Sequence, residues 1–421
     1  MDTLYSQIKR KTILCIDMKS FYASCSAIDL GHDPLTCCLA VVADTKRSGS
    51  VVLAATPAMK KKFGIKTGSR LFEIPDDPDI QIVNASMSAY LKTSVELTKF
   101  FAEFVPSAHI HTYSVDESFL QVDGSLHLYD SPRQMAKMIQ RSMLRRFGLM
   151  CAIGIGPNML LSKLCLDLDA KKKGIAEWQF EDVKEKLWPV EPLSKMWGIG
   201  NRMERNLNRL GIRTVGQLAR TPIELLEKQF GVMGSQLYYH AWGIDLSEIG
   251  APILHGQISY GKSQILLRDY EKEEEIKHVI LEMSEEVARR ARRERKAGRT
   301  ISLGVGYSHK EAGGFHRSYT VSEPTNETKE IYHICLHLFR KHYRGETVRS
   351  LSVTLSKVCE DSCTQLSLFD PKKPKRKALG YVMDQVRAKH GADSLLRAVS
   401  YTKAGTARHR STLVGGHKAE G

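Results

Sequence analysis

Apolar residues in the first 180 positions fall into two kinds of run, short unbroken ones and longer ones with helical spacing. The segments TILCID, which ends at Asp17, and LMCAIGIG, residues 149–156, have the length and composition of buried strands. Segments such as VELTKFFAEFV, residues 95–105, and NMLLSKLCLDL, residues 158–168, place apolar side chains on one face of a helix. This alternation predicts a sheet domain of the α/β or α+β class.

The pattern changes along the rest of the chain. The sequence predicts small helices separated by glycine turns over residues 181–246, and a linker over residues 247–256. The next predicted elements are strand, helix, strand, strand, helix and strand, which is the ferredoxin-like split-βαβ order. We expect the segment PKKPKRK, residues 371–377, to be a basic spacer before a short helix over residues 377–391, and the last 20 residues to be mobile.

Composition narrows the classes of protein that remain. Of 421 residues 42% are hydrophobic, which excludes a largely disordered chain. No apolar stretch reaches the roughly 18 residues of a membrane span, and the N-terminus MDTLYSQIKRK lacks the apolar segment of a signal peptide. We therefore expect a cytoplasmic protein without a membrane partner. The net charge of +15 favours nucleic acid as a partner over a mere surplus of charge for solubility.

Three carboxylates suggest a metal site. Asp17 ends a predicted strand, and Asp116 and Glu117 occupy the tip of a predicted hairpin between HIHTYSV and SFLQV. If the strand end and the hairpin tip converge, the carboxylates repel unless a hard cation lies between them. Two Mg²⁺ ions about 3.5–4 Å apart are the usual solution in nucleotidyl transfer. The alternative is that these are unrelated surface acids at strand ends.

Two basic runs and one glycine turn suggest phosphate contacts. The lysines at 60–62 and 171–173 suit a triphosphate, although solvated charged faces explain them equally well. The turn Gly198, Ile199 and Gly200 between short helices is typical of a helix-hairpin-helix, which offers backbone N–H groups to a DNA phosphate. An ordinary turn between two helices is the alternative.

Two further segments favour surface contacts. The run ARRARRERKAGR, which includes Arg292 and Arg293, predicts a helix flank that follows DNA phosphates, or else a solvated helix end. The peptide QLSLF is predicted to dock in a groove on a partner, unless it packs on its own domain. Its candidate contact residues are Gln365, Leu366, Leu368 and Phe369.

Four segments occur in the order and at the spacing of one known family. They are CIDMKSFYASCS, YSVDESF, IGIGPNMLLSKL and MWGIGNRMERNLNRLGI. In these segments the chain resembles the Y-family translesion DNA polymerases, and most of all the UmuC-like branch of Gram-positive bacteria and their phages. The resemblance extends over about residues 10–370.

The resemblance implies roles for individual residues. Asp17, Asp116 and Glu117 match the carboxylates that hold two Mg²⁺ ions, Asp116 and Glu117 being the catalytic pair, and Met18 contributes its backbone carbonyl. In the nucleotide site, Tyr22 follows Phe21 and matches the steric gate that rejects a ribose 2′-hydroxyl. Lys61 and Lys171 match triphosphate contacts; the segment LDLDAKKKG is one residue longer than the family pattern, so Lys172 rivals Lys171, and Ala58 replaces a frequent tyrosine.

The resemblance also implies the architecture of a right-hand polymerase of the α+β class. Its predicted parts are a palm (1–40 and 90–180), small fingers (41–89), a helical thumb with the helix-hairpin-helix (181–246), a linker (247–256), a ferredoxin-like βαββαβ little finger (257–360), and a clamp-binding peptide with a C-terminal tail (361–421).

The expected function is template-directed DNA synthesis past damaged bases, at low fidelity, in DNA damage tolerance and SOS mutagenesis. Its expected partners are primer–template DNA, a dNTP and, through Gln365–Phe369, the sliding clamp, with the chain itself a monomer. The sequence does not decide whether a UmuD-like subunit or a RecA filament is needed. Two alternatives stay open, a catalytically silent DNA-damage scaffold and a repair nuclease. The complete acidic set argues against the scaffold, and the Phe21-Tyr22 pair with the C-terminal βαββαβ unit argues against the nuclease.

Overall fold

The computed structural model describes residues 5, 8, 10–251, 259–309, 311, 313–362 and 371–420. The chain divides into two compact units, the first formed by Met1–Ala251 with His417–Gly421 and the second by Pro252–Gly416.

A five-stranded sheet forms the centre of the first unit, in the order β5-β6-β1-β7-β8. The strands of the first unit that precede residue 180 are β1 (Ile13–Met18), β2 (Cys38–Val42), β3 (Val52–Ala55), β4 (Ile80–Asn84), β5 (Ile110–Thr112), β6 (Glu117–Gln121), β7 (Cys151–Gly156) and β8 (Ile175–Glu177). The central strand β1 pairs antiparallel with both β6 and β7, and its residues Leu14, Cys15 and Ile16 are completely buried. This burial on both faces explains the unbroken apolar run in the sequence.

Helices cover this sheet and continue its core. The main helices are α1 (Phe21–Asp29), α2 (Pro57–Phe63), α3 (Met87–Phe101), α4 (Pro132–Phe147), α5 (Met159–Cys165), α6 (Asn201–Arg209), α7 (Val215–Arg220), α8 (Ile223–Phe230) and α9 (Val232–Ala241). One apolar cluster runs from Phe119 on the sheet through Leu160 and Leu164 to Leu218 and Leu226 in the later helices. The predicted small helices after residue 181 are therefore joined to the sheet domain by a shared core.

A separate small sheet carries the helix with the first lysine run. Its order is β3-β2-β4, with β2 and β3 antiparallel and β2 and β4 parallel. The helix α2 begins at Pro57, where a missing N–H is tolerated, and it anchors itself through Met59, which is completely buried. Its lysines are left on the outer side.

The second unit contains the predicted βαββαβ order. Its elements are β9 (Ser259–Tyr270), α10 (Glu273–Arg293), β10 (Lys296–Tyr307), β11 (Gly314–Thr325), α11 (Thr328–His342) and β12 (Val348–Glu360). The sheet has the order β11-β10-β12-β9, so β11 is an edge strand. Ile301, Leu303 and Val305 of β10 form one core with apolar residues of α10 and α11, whereas the intervening Thr300 and Ser302 lie on the open face of the sheet.

A C-terminal layer packs against α10, and here two predictions are wrong. The expected spacer 371–377 is largely helical, because α12 (Lys373–His390) begins with Pro374 in its first turn, a position where proline fits. A 3₁₀ turn at Ala398–Tyr401 precedes the last 20 residues, which were expected to be mobile but contain α13 (Ala407–Ser411), β13 (Leu413–Val414) and β14 (His417–Lys418). Thr406 donates from its N–H and its hydroxyl to Glu282 of α10, at 2.9 and 2.7 Å.

The assignment of Arg292 to a DNA-tracking surface is also wrong. Its side chain is buried, and its guanidinium donates to both carboxylate oxygens of Asp384 at 2.7 and 3.1 Å and to the carbonyl of Asn326 at 2.8 Å. A buried guanidinium with these partners is not available to a phosphate. Its neighbour Arg293 is exposed, with Glu294 at 3.5 Å, and its role in DNA binding stays a prediction.

Among the helices in the described parts of the chain, none is long and apolar enough to cross a membrane.

We predict that Asp384→Ala destabilises the second unit by about 3 kcal/mol, because it leaves the Arg292 guanidinium buried without its carboxylate. Urea unfolding followed by circular dichroism measures the change. Asp393→Ala, at an exposed aspartate just after α12, is the matched control and should change the free energy by less than about 0.5 kcal/mol. Equal effects of the two substitutions would show that the buried pair adds no more to the free energy of unfolding than an exposed aspartate does.

Candidate active site

Backbone pairing brings the three carboxylates to one end of the central sheet. In the antiparallel register of β1 and β6, Asp17 lies directly opposite Glu117, and the Met18 N–H donates to the Asp116 carbonyl at 3.0 Å. β5 and β6 form the predicted hairpin, and at its turn the Ser114 hydroxyl donates to the Asp116 carboxylate at 2.8 Å. The convergence predicted from the sequence is therefore present in the backbone.

Glu117 is held from the inside of the protein. Its carboxylate is 2.8 Å from the Lys163 ammonium and accepts from the Cys15 thiol at 3.3 Å. The Lys163 and Glu117 side chains are only 8% and 9% exposed, and Lys163 also lies 3.1 Å from Asp167. Burial lowers the pKa of Lys163, but the hydrogen bond and charge of Glu117 outweigh it, so the pKa of Lys163 is raised overall.

A second lysine contacts the other strand. The Lys171 ammonium lies 3.0 Å from Asp17 and 2.8 Å from Asp167. Burial raises the pKa of Asp17, and the nearby Asp116 charge adds to this, while Lys171 opposes it. Asp167 therefore bridges both lysines, and the two ammonium groups partly neutralise the acidic end of the sheet.

Two glycines allow the helix with Lys163 to approach the sheet. A Cβ at Gly154 would lie 2.2 Å from the Ser162 carbonyl, and a Cβ at Gly156 would lie 2.5 Å from the Ser162 nitrogen. Helix α5 thus packs against the backbone of β7, which explains the glycines in the IGIG strand.

The segment LDLDAKKKG, which the resemblance implies is one residue longer than the family pattern, contains a π-helical turn. This turn, Leu166–Ala170, follows α5 and is succeeded by a single helical turn, Lys171–Lys173. A π-turn inserts one residue without ending the helix, so Lys171 still reaches Asp17. Lys171 and Lys172 are both exposed, and the ion pair with Asp17 makes Lys171 the stronger of the two candidates.

The donor set suits a hard divalent cation. Carboxylates and a backbone carbonyl are the ligands that Mg²⁺ takes in proteins, and the two ammonium groups show that this end of the sheet accepts positive charge. Within the described residues, however, no three His, Cys, Asp or Glu side chains are gathered closely enough to hold a metal ion as they stand. The carboxylates therefore fit the metal by chemistry and backbone position, but the side chains of Asp17 and Glu117 contact lysines and that of Asp116 contacts Ser114.

An aromatic stack lies beside the acids. The Tyr22 ring stacks on Tyr90 of α3, with ring centroids 4.5 Å apart, and the Tyr90 hydroxyl is 2.7 Å from Ser26. Burial raises the pKa of Tyr22, and the charge of Asp116 adds to this. Phe21 is buried beneath, 6.5 Å from Tyr90. Sequence reasoning found Phe21 and Tyr22 but not Tyr90, whose contribution depends on a tertiary contact.

The lysine run of α2 splits between two environments. Lys60 donates to the Ser20 hydroxyl at 2.9 Å, next to the strand that carries Asp17, whereas Lys62 pairs with Asp79 at 3.0 Å on another side. Lys61, the residue named from the sequence, is exposed. Lys60 is therefore a further candidate for a phosphate contact; the sequence included it in the lysine run but gave no reason to prefer it to Lys61.

The glycine turn is built as the sequence predicts. Gly198 has a positive φ of 92°, Ile199 is buried in the core, and Gly200 precedes α6. A Cβ at Gly200 would meet nothing within 4 Å, so packing does not require glycine there and the space stays open to a ligand. The ring of Trp197 lies 5.7 Å from that of Tyr113, which ties the turn to the acidic hairpin.

Comparison with known protein families assigns the chain. The model of the impB/mucB/samB family matches residues 16–167, that of its C-terminal domain residues 257–368, and that of the DNA polymerase-iota thumb domain residues 194–245. The chain belongs to the Y family of DNA polymerases. The resemblance seen in the sequence motifs is thereby confirmed, as is the α+β multidomain fold with a helix-hairpin-helix.

Relatives support the same assignment. The chain is 64% identical over 99% of both chains to a protein of Bacillus subtilis (strain 168) provisionally named UV-damage repair protein UvrX. It is 39% identical to DNA polymerase IV 2 of the same organism, over 97% of this chain and 99% of the relative. It is 33% identical to DNA polymerase IV of Pelotomaculum thermopropionicum, over 95% and 98%. A solved Y-family DNA polymerase chimera shares the fold at 17% identity, with a TM-score of 0.64 over 83% of this chain and 99% of its own.

The candidate clamp-binding residues Gln365, Leu366, Leu368 and Phe369 lie outside the described residues.

We predict that Lys163→Met destabilises the protein by about 3 kcal/mol, because Glu117 then stays buried without its counter-ion. The double variant Lys163→Met with Glu117→Gln should recover most of this loss, since both charges are gone. Denaturant unfolding measures the free energies. Lys173→Met, which breaks an exposed pair with Asp169, should cost less than about 1 kcal/mol. Additive losses in the double variant would contradict the pairing.

Proposed function

We propose that the chain is a template-directed DNA polymerase that copies past damaged bases. The observation that supports this most directly is the register of β1 and β6, which sets Asp17 opposite Glu117 with Asp116 beside them. Membership of a polymerase family gives this acidic end of the sheet its expected reaction, attack of a primer 3′-hydroxyl on the α-phosphate of a dNTP with loss of pyrophosphate.

Asp17, Asp116 and Glu117, with the carbonyl of Met18, would hold two Mg²⁺ ions. Such ions supply charge stabilisation for the attacking and leaving oxygens when they are bound. The protein itself orients the carboxylates, through Ser114 on Asp116 and through Lys163 and Cys15 on Glu117. This positioning, rather than covalent chemistry, is the contribution of the chain.

Side chains around the acids suit a deoxynucleotide. Lys171, Lys60 and Lys61 are the candidates for triphosphate contacts, since an ammonium group is a compact charge that binds phosphate oxygens. Tyr22, supported from below by Tyr90, is the candidate for the surface that excludes a 2′-hydroxyl. Ala58 puts a small side chain at the position on the fingers helix where the family often has a tyrosine, which suits a loosely enclosed base pair and low fidelity.

Two surfaces suit the DNA backbone. The turn Gly198–Gly200 offers the N-terminus of α6, which no side chain caps, to a phosphate. In the second unit, apart from the exposed Ile265 of β9, the open face of β9, β10 and β12 is formed mainly by small polar residues and glycines, over which a sugar–phosphate chain can lie closely. These are Thr300, Ser302, Gly304 and Gly306 of β10, Ser350, Ser352, Thr354 and Ser356 of β12, and Gly261 and Ser263 of β9.

Further parts of the proposal rest on sequence alone. They are docking of the sliding clamp on Gln365–Phe369, a role for Arg293 in DNA binding, a cytoplasmic location and a monomeric state. A second candidate function, a DNA-damage scaffold without catalysis, is favoured by the repair name of the UvrX relative.

We predict that Asp116→Ala abolishes extension of a labelled primer on a gel while primer–template binding, measured by fluorescence anisotropy, is retained. The reason is that Asp116 belongs to the acidic site and contributes no contact to the DNA turn. Asp130→Ala, at an exposed aspartate that precedes α4, is the matched control and should extend primers normally.

The same gel distinguishes the alternatives. Lengthening of the primer by the unmodified chain supports the polymerase, shortening indicates a nuclease, and binding without either indicates the scaffold. Normal extension by Asp116→Ala would remove the proposed role of the acids.

We predict that Tyr22→Ala raises incorporation of ribonucleotides relative to deoxynucleotides by about tenfold or more, because loss of the ring leaves room for a 2′-hydroxyl. Tyr22→Phe keeps the ring and should keep the discrimination. Single-nucleotide insertion assays with matched dNTP and rNTP measure the ratio. An unchanged ratio in Tyr22→Ala would refute the proposed gate.

A further inference from the structure

A groove runs along the helical side of the second unit, away from the open sheet face. One cavity of about 680 Å³ lies between β11, α11 and the first turns of α12, with Tyr319, Val321 and Ile334 in its wall. A second cavity of about 620 Å³ continues along the outer side of α11. His333 and His337 line both cavities, so the two are adjacent, and together they are called the groove.

The strand register explains which side chains reach this groove. In the pairing of β10 with β11, Tyr319 lies opposite Ile301 and Arg317 lies opposite Leu303. Because Ile301 and Leu303 are buried under the helices, their partners point to the same side of the sheet. β11 is an edge strand, so Tyr319 stays about half exposed, and its ring lies 6.1 Å from that of His337.

Positive charge dominates the far half of the groove. Arg340 and Lys341 line the second cavity and form no ion pair with a carboxylate in the described parts of the chain. The acids of the first cavity are already engaged, Glu327 with Arg376 at 2.7 Å and Glu330 with Lys373 at 3.3 Å. The groove therefore offers unpaired cations at one end and aromatic rings along its length.

We propose that this groove binds single-stranded DNA. Proteins that hold single strands combine a positive channel for the phosphates with rings on which bases stack. Here Arg340 and Lys341 supply the charge, Arg317 adds to it from the same side of the sheet, and Tyr319 and the two histidines supply the rings. An acidic peptide would satisfy the cations and the free edge of β11 but would leave the rings without a role, so a nucleic acid fits more of the site.

This site differs from the DNA contacts of the proposed polymerase. The groove lies on the helical face of the sheet, and the Ser, Thr and Gly residues lie on the opposite face. The inference does not depend on catalysis, because it concerns binding alone.

The experiment uses the full chain with its main DNA site already filled. The protein is saturated with an unlabelled hairpin primer–template, and labelled dT16 is then titrated by fluorescence anisotropy. We expect salt-dependent binding of dT16 to this complex. Arg340→Glu with Lys341→Glu should weaken it about tenfold or more, and Tyr319→Ala about fivefold or more, since stacking on that ring is lost.

Matched control variants distinguish binding at this groove from a nonspecific effect of the protein's charge. Lys389→Glu with Arg408→Glu makes the same charge change at exposed positions of the C-terminal layer and should alter dT16 binding by less than about twofold. Tyr401→Ala removes an exposed ring elsewhere in the same unit and should have no effect. Thermal unfolding of each variant shows that it is folded.

Three results would overturn the proposal. They are failure of dT16 to bind the saturated protein, equal weakening by the two pairs of charge reversals, and displacement of dT16 by a polyglutamate peptide at much lower concentration than by unlabelled dT16. The last result would identify the groove as a peptide site. Primer extension by Arg340→Glu with Lys341→Glu on a short primer–template should be normal, so failure here and failure of the polymerase proposal are distinguishable.

Discussion

The pairing of β1 with β6 is the constraint on which the candidate site depends. It fixes Asp17 opposite Glu117, and a carboxylate as buried as Glu117 is stable in its charged form only beside a cation. Lys163 and Lys171 fill that need, with Asp167 as their common partner. The lysines thus let the chain fold acidic residues together before any divalent ion arrives, and the acids do not need a metal to be brought to the same end of the sheet.

The sequence predicted those features of the site that are determined by residues close together in the chain. The apolar run before Asp17, the two β-prone segments around Asp116 and the glycines of the turn at 198–200 each have a signature within a few residues. Contacts between residues that are far apart in the sequence had no such signature. The stacking of Tyr90 on Tyr22 joins two helices about 70 residues apart in sequence, and the choice of Lys60 over its neighbours depends on where Ser20 lies. The π-turn is intermediate, because its extra residue was visible but its conformation was not.

Arg292 shows why a run of basic residues does not reveal which of them are exposed. Within the arginine-rich segment nothing distinguishes it from Arg293, yet a helix has two sides, and one of them is covered by a segment that begins some 80 residues later. The carboxylate of Asp384 makes burial of that guanidinium tolerable. The carboxylate of Glu282 likewise accepts a hydrogen bond from the Thr406 hydroxyl. The polar outer side of α10 is therefore an interior surface, which a pattern of hydrophobic residues could not reveal.

The number of basic residues in a segment is consequently a poor measure of the positive charge that the segment exposes. The cations of α10 include one that is turned inward and others that are paired with Glu286, so the segment with the densest arginine content offers fewer free charges than its sequence suggests. Helix α11 has fewer lysines and arginines, but its Arg340 and Lys341, near His337 and Tyr319, form no ion pair with any carboxylate that the structure describes. Affinity for a polyanion follows the cations that are exposed and unpaired, since only these release counter-ions on binding. By that criterion the helical side of the second unit, and not the arginine run, carries the charge available to a single strand.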